Sequence, residues 1–452
     1  MTQRRSALIN RNHLVGIELA RHPVQPDTAP AMCLIHGKTT NNPAEPSSIA
    51  FSESTFSKHL LFIGEIGSGK TNAIQQFLQQ IRRSITNNDV VFIFDTKGDF
   101  RKEFWKTSDI TISNDIHSGD ENGPNHWNIF NEINPRAYED DIYEITRSLF
   151  FERSKQSNQP FFPNAARDLF AAVLLHFYRL HKRTPLPTPP DNKLLRDFFD
   201  GATPDKFREI LTLPENNDLR ALISYIGASG SSDQSLGVLS ELQQMVREIF
   251  IGNFRKSGTM SVRQLVRNKN AKFVFIEYDI SVGNILTPIY RLILDFAIKE
   301  ALSRTRSEGN VWFVIDEFRL IPHLQHIDNG VNFGRSLGAK FIIGIQNVAQ
   351  IYEAYGEPLA KSLLSGFLTT IAFRVNDASS REFIKQLYGK RRIQEITTTP
   401  IGTQTVQTQT VDVDVIEDYD VLNLRIGQAI IGLPLSQPVI FQFNPYTRDE
   451  SR

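Results

Sequence analysis

The sequence predicts an α/β chain whose parallel sheet is built around a phosphate-binding loop, and three observations predict it. The octet Gly64-Glu65-Ile66-Gly67-Ser68-Gly69-Lys70-Thr71 follows the apolar run Leu60-Leu61-Phe62-Ile63 and precedes the helix-forming stretch Ala73-Ile74-Gln75-Gln76-Phe77-Leu78. A second apolar run, residues 311–315 (VWFVI), ends on Asp316-Glu317. Around these two, unbroken apolar runs of strand length alternate with helical periodicity, the pattern of strands covered on both faces and joined by right-handed crossovers.

The octet carries its own chemistry. Glycines at 64, 67 and 69 let backbone N–H groups wrap a β-phosphate, Lys70 neutralises the β/γ oxygens, and Thr71 offers a hydroxyl to Mg²⁺. Gly64, Glu65, Ile66, Gly67, Ser68, Gly69, Lys70, Thr71 and Asn72 therefore form the candidate nucleotide-binding stretch, with ATP and Mg²⁺ as expected cofactors. Hydrolysis also needs an acid for the metal and a carboxylate for water. Asp316 is expected to hold Mg²⁺ together with Thr71, and Glu317 to activate the attacking water. The doublet favours ATP hydrolysis over a GTPase switch.

The elements follow in order. Residues 13–19 (HLVGIEL), 32–36 (MCLIH) and 48–51 (SIAF) read as short strands separated by Pro- and Asn-rich turns, a short N-terminal β layer over 1–55. The first part of the nucleotide-binding domain spans 56–149 and contains the buried strand DVVFIF at 89–94, closing on Asp95-Thr96-Lys97-Gly98-Asp99. From 150 to 258 the texture is helical, with an amphipathic helix over 164–177 and separators at 185–190 and 227–232; this reads as an all-helical insertion domain. The sheet resumes over 259–395 with strands at 271–278, 311–315, 339–346 and 369–375 and a helix over 289–304. Gln346, ending one of these strands, is a candidate sensor of the γ-phosphate. Residues 396–452 hold a Thr/Gln-rich and then acidic segment, read as a flexible hairpin or linker, before a last strand pair at 428–433 and 439–443.

Composition bounds the rest. The 452 residues, 40% of them hydrophobic, suffice for a large core. Formal net charge is zero, so no global basic field announces nucleic acid and any such surface must be local. Lys58, Lys390, Arg391 and Arg392 are candidates for it, although the run 390–392 reads equally as a solvated patch. The single cysteine, Cys33, excludes an intramolecular disulfide and a zinc cluster, fits a reducing cytoplasm, and reads as a small buried apolar residue. No stretch approaches the roughly 18 apolar residues needed to cross a bilayer.

Taken together, GEIGSGKT, FDTKGDF at 94–100, His126-Trp127-Asn128-Ile129-Phe130, the helical insertion, VWFVIDEF at 311–318, and Asn332-Phe333-Gly334-Arg335 followed by IIGIQNVAQIYEAYG at 342–356 resemble the coupling proteins of conjugative and type IV secretion systems. These belong to the wider FtsK/HerA-like class of ring translocases. The resemblance runs from about residue 48 to 440. It implies a RecA-like P-loop NTPase core, a hexameric ring, and an arginine that reaches a neighbour's ATP, a role it places on Arg335 with Arg374 as rival. It implies that Lys97 contacts nucleotide or DNA backbone; a solvated turn lysine fits the residues as well. Membrane-anchored coupling proteins resemble this chain plus a pair of N-terminal spanning helices. The chain is accordingly expected to be a soluble, cytoplasmic member recruited to the inner membrane by a partner, or a HerA-like motor in DNA processing or defence.

The resulting expectation is an ATP-hydrolysing hexameric motor that translocates DNA. The alternatives are a soluble secretion ATPase that recruits protein cargo, and an ATP-gated assembly partner of a nuclease or other effector.

Overall fold

The computed structural model describes residues 8–23, 29–40, 44–116, 125–184, 189–227, 233–304, 308–399 and 405–448. Most of the two separators at 185–190 and 227–232 lies outside them, as does the centre of the Thr/Gln-rich segment. The strands in chain order are β1 (Leu8–Val15), β2 (Ala31–Thr39), β3 (Pro46–Ser52), β4 (Leu60–Ile63), β5 (Val90–Asp95), β6 (Ile110–Ser113) and β7 (Lys272–Glu277). There follow β8 (Val311–Ile315), β9 (Ala339–Ile345), β10 (Thr369–Phe373), β11 (Lys390–Thr399), β12 (Thr405–Asp414), β13 (Gln428–Gly432) and β14 (Val439–Phe443). The chain forms two compact units, Met1–Ser84 with Ile315–Arg319 and Lys340–Arg452, and Ile85–Val314 with Leu320–Ala339.

In the first unit the strands run in the order β3-β2-β14-β13-β10-β4-β9. β4 lies parallel to β10 and to β9, with Leu60 opposite Thr369 on one side and Ile342 on the other. All four β4 residues are buried, as a strand covered on both faces requires. The remaining pairs toward β3 are antiparallel. The three N-terminal strands do not stay together: β2 and β3 extend this antiparallel edge, while β1 joins the β11–β12 hairpin in a separate three-stranded sheet. The helix Lys70–Ser84 buries Ala73, Ile74, Phe77, Leu78 and Ile81, an apolar stripe at helical spacing. Phe77 anchors it edge-on to Phe51, Phe56 and Phe62. Cys33 on β2 is buried, and burial raises its thiol pKa far above the ordinary value.

The second unit carries β8-β5-β7-β6, with β7 parallel to both β5 and β6. β6, four residues of sequence ITIS, is too short to show a period. Between residues 138 and 249 the elements are helical: Tyr138–Gln156, Phe161–Arg183, Asn192–Asp200, Pro204–Thr212, the 3₁₀ stretch Pro214–Tyr225, and Asp233–Ile249. The helix expected from 289 begins at Gly283, because Pro288 is accommodated inside its first turns. A buried bidentate ion pair joins Arg263 to Asp141 at 2.6 and 3.0 Å, with the guanidinium over the Phe296 ring.

The His126–Phe130 motif becomes a knot of internal bonds in this unit. Trp127 Nε1 donates to Glu132 at 2.9 Å, Asn128 Nδ2 donates to the Pro190 carbonyl at 3.1 Å, and Asn192 bonds both Ile129 N–H and the Trp127 carbonyl. Glu132, fully buried, also accepts from Ser261 Oγ and from the N–H groups of Val262 and Arg263. Burial pushes its pKa up to about 7 despite those donors. No helix among the described residues is long and apolar enough to cross a membrane.

Candidate nucleotide site

The phosphate loop, Asp316, Glu317, Gln346 and Arg374 all belong to the first unit. β9, β4 and β10 are parallel neighbours, so Gln346, the loop from Gly64, and Arg374 leave the sheet at one edge. Ligands of parallel α/β sheets bind at this carboxyl edge.

The loop is shaped by glycine. Gly67 and Gly69 adopt φ of +79° and +112°, values that L side chains avoid. Space around Gly67 is open, whereas a Cβ at Gly69 would stand 2.9 Å from the Gly427 Cα. Backbone bonds fix the loop's ends, from Gly64 N–H to the Ile345 carbonyl and from Glu65 N–H to the Arg374 carbonyl. Gly427 N–H donates to the Ser68 carbonyl at 2.9 Å. Ser68 Oγ is buried and makes no hydrogen bond within the protein.

Lys70 is almost fully buried and reaches back to the Gly64 and Ile345 carbonyls at 3.0 and 3.4 Å. Thr71 Oγ1 donates to Asp316 Oδ2 at 3.0 Å, so the two expected metal-holding side chains meet. Gln346 Nε2 donates to Glu317 Oε2, and Arg319 Nε lies 3.2 Å from Glu317 Oε1. Gly344 makes this convergence possible, since a Cβ there would fall 2.3 Å from the Asp316 carbonyl oxygen.

Not every candidate joins this constellation. Asn72 has its side chain occupied by the C-terminal segment, donating to the Asn444 carbonyl at 3.1 Å and accepting from Tyr446 N–H at 2.6 Å. Arg374 pairs with Glu65 at 3.5 Å, and Asn376 also bonds that carboxylate, so Arg374 is tied to the loop of its own chain. Arg335 stands exposed on the 3₁₀ turn Gly334–Leu337 of the other unit. There too lies Lys97, exposed beside Asp95, which accepts from Arg101 N–H and Lys97 N–H and whose pKa burial raises to about 6. Of the basic candidates, Arg391 pairs with Glu18 and Arg392 with Asp412, Lys390 is exposed, and Lys58 is half-buried.

The residues suit a magnesium nucleotide. An orphaned Ser68 hydroxyl, a lysine held by the Gly64 and Ile345 carbonyls, an open turn at Gly67, and a Thr-Asp pair beside the helix start are the features such a ligand uses. Residues 44–439 match the model of the type IV secretion-system coupling protein DNA-binding domain. The chain belongs to this family. It is 22% identical over 336 residues to the coupling protein TraD of Escherichia coli (strain K12), covering 73% of this chain. Only 43% of TraD is matched, so the chain spans less than half the length of that curated relative. Among solved structures the fold matches the bacterial conjugative coupling protein TrwBdeltaN70, at TM-score 0.74 and 17% identity over 98% of this chain and 95% of that one. It matches VirB4 of Thermoanaerobacter pseudethanolicus at 0.54 and 13%, over 94% and 98% of the two chains. TrwB in complex with ADP and Mg²⁺ matches at TM-score 0.72 and 17% identity, over 99% and 98%. The α/β architecture with its RecA-like P-loop core is thereby that of the coupling proteins.

Proposed function

We propose that this chain is a P-loop ATPase that binds Mg·ATP and uses its hydrolysis to move DNA, working as a hexameric ring. The observation that supports this reading is the 3.0 Å bond from Thr71 to Asp316, which joins the two side chains that would hold the metal, the one next in sequence to Lys70 and the other to Glu317. Mg²⁺ bound there would draw charge off the phosphates. Lys70 would hold the β/γ oxygens, and Glu317, oriented by Gln346, would take the proton of the attacking water. Arg335 would complete the site of an adjacent subunit, since Arg374 is engaged within its own chain. Family membership supports DNA as the substrate and a secretion channel as the setting. Work on the cytoplasmic side, with recruitment to the inner membrane by a partner, fits that setting.

The zero formal net charge favours a second reading, in which the motor hands over protein cargo. ATPase rates measured with and without single- and double-stranded DNA across a salt series separate the two. A DNA motor shows stimulation that weakens steeply with salt and depends little on sequence. Absence of stimulation at low salt, in nucleotide-bound assemblies of measured mass, leaves the protein-cargo or effector-assembly reading.

A further inference from the structure

Glu317, the proposed base, is held from two sides by side chains of its own unit. Gln346 Nε2 donates to Oε2, while Oε1 is buried and accepts no hydrogen bond within the protein. Against that second oxygen lies Arg319, its Nε 3.2 Å away as an ion pair. The turn Phe318–Leu320 that carries Arg319 is itself braced, since Phe318 is buried and its ring stacks on Tyr355 with centroids 5.9 Å apart and planes 3° from parallel. Tyr355 ends the helix Ala349–Tyr355, which follows Gln346 closely in the chain. The stack therefore ties the segment bearing Gln346 to the turn bearing Arg319.

A carboxylate in this position is disfavoured unless a cation stands beside it. Glu317 is 14% exposed and follows the buried Asp316, so two acidic groups adjoin where water screens them poorly. The Arg319 guanidinium offsets that repulsion, and it is charged at any working pH. Its placement matters as much as its charge. An arginine hydrogen-bonded squarely to Oε1 would compete for the lone pair that must take the proton of water, whereas here Nε lies beside that oxygen without such a bond. Charge is balanced and the acceptor stays open. Arg319 is 45% exposed, so replacing it opens no cavity.

Resting on the ATPase reading above, we infer that Arg319 is a positioning residue for hydrolysis, balancing the charge of Glu317 and holding Oε1 as the oxygen that receives the proton of the attacking water. Gln346 fixes the other oxygen, and the two together set the orientation of the carboxylate. Arg319 acts through Glu317 alone. Its removal is felt in turnover and not in nucleotide affinity or stability, which separates it from Lys70.

Steady-state turnover and equilibrium Mg·ATP binding of the full chain test this. Arg319→Met, which keeps the aliphatic stem and removes the charge, is expected to lower kcat about tenfold with KM and Mg·ATP affinity within about twofold of wild type. Arg319→Lys should recover most of that loss, because it returns the charge. In a Glu317→Gln background the same Arg319→Met change should alter kcat by less than about twofold, since the group it serves is already gone. An equal loss in both backgrounds, or a kcat unchanged or raised by Arg319→Met, overturns the inference. A fall in Mg·ATP affinity as large as the fall in kcat assigns Arg319 to nucleotide binding, and a loss that Arg319→Lys does not recover assigns it to packing; either result also overturns it. Wild-type turnover in Glu317→Gln, or no ATP turnover by the wild-type chain, overturns the ATPase reading itself and the inference with it.

Discussion

Two segments of this chain are dense in motif residues, the phosphate loop at 64–72 and the Trp127–Glu132 knot, and they treat their polar atoms in opposite ways. In the loop a buried Ser68 hydroxyl has no protein partner, Gly67 faces open space, and Lys70 is satisfied by two carbonyls. In the knot Glu132 accepts from four groups and Asn128 uses both its amide oxygen and nitrogen on the backbone. Buried polar groups are normally paired, so an orphan beside open space marks room kept for a ligand. A saturated network marks wiring. Two equally recognisable motifs thus serve binding in one case and architecture in the other, and the state of their polar atoms tells them apart.

Disabling the loop without touching the fold separates the two motifs most strongly. Lys70→Ala is expected to cost more than 100-fold in ATP affinity or turnover, and Glu317→Gln about 10²–10⁴ in turnover with binding retained. Thermal midpoints within a degree or two of wild type accompany both. A large drop in midpoint for Lys70→Ala, or normal turnover in Glu317→Gln, removes the distinction or moves the catalytic base elsewhere. A related expectation concerns Arg335, whose replacement by alanine should leave nucleotide binding and lower hydrolysis about 10³-fold. Mixing Arg335→Ala with Lys70→Ala subunits should then restore part of the activity. No rescue in demonstrated mixed assemblies counts against a role between subunits.

These contrasts also explain what could be read from the sequence. The octet, the Asp316-Glu317 pair and the strands that carry them are local signatures, visible because glycine, lysine and acidic residues must sit at fixed offsets from a strand end. The partners that complete the site are distant in sequence. Gly427 lies more than 350 positions from the loop it contacts, and residues 444–447 as far from the helix that follows it; nothing in their own composition announces the meeting. Gly344 looks like any strand glycine until the Asp316 carbonyl is seen beside it. Arg374 could be read as a candidate finger, but its bond to Glu65 depends on β10 lying next to β4, which periodicity does not reveal. Glu132 was invisible for the same reason, because its donors come from residues 127 and 261–263.

The knot should respond to substitution in the opposite manner to the loop. Glu132→Ala leaves the Trp127 indole, the Ser261 hydroxyl and two backbone N–H groups without their acceptor, and is expected to cost about 3–5 kcal/mol of stability. Urea midpoints read this directly. A change below about 1 kcal/mol would show that water replaces the carboxylate and that the knot is no better wired than the loop.

The smallest effect is one of pH, and its sign follows from burial. Glu132 is pushed up to about 7, and Asp95 and Asp295 to about 6, in each case first by burial and only partly countered by backbone donors. An unfolded chain holds these carboxyls near their ordinary pKa of about 4. Between roughly pH 4.5 and 7 the folded chain therefore binds more protons than the unfolded one, and stability falls as pH rises through that window. Asp141 and Glu144 behave in the other sense: burial raises them, but Arg263 and Lys299 with His326 more than offset it, so their contribution is lost only at lower pH. A decline of about 1–3 kcal/mol from pH 5 to pH 7 is expected in urea titrations. Glu132→Gln, which keeps the side-chain volume and cannot titrate, should flatten that slope even if it lowers stability throughout. An unchanged slope in Glu132→Gln would assign the dependence to Asp95 and Asp295. A stability that rises with pH across the window would mean that the four donors around Glu132 outweigh its burial, leaving the knot ionised in the folded chain.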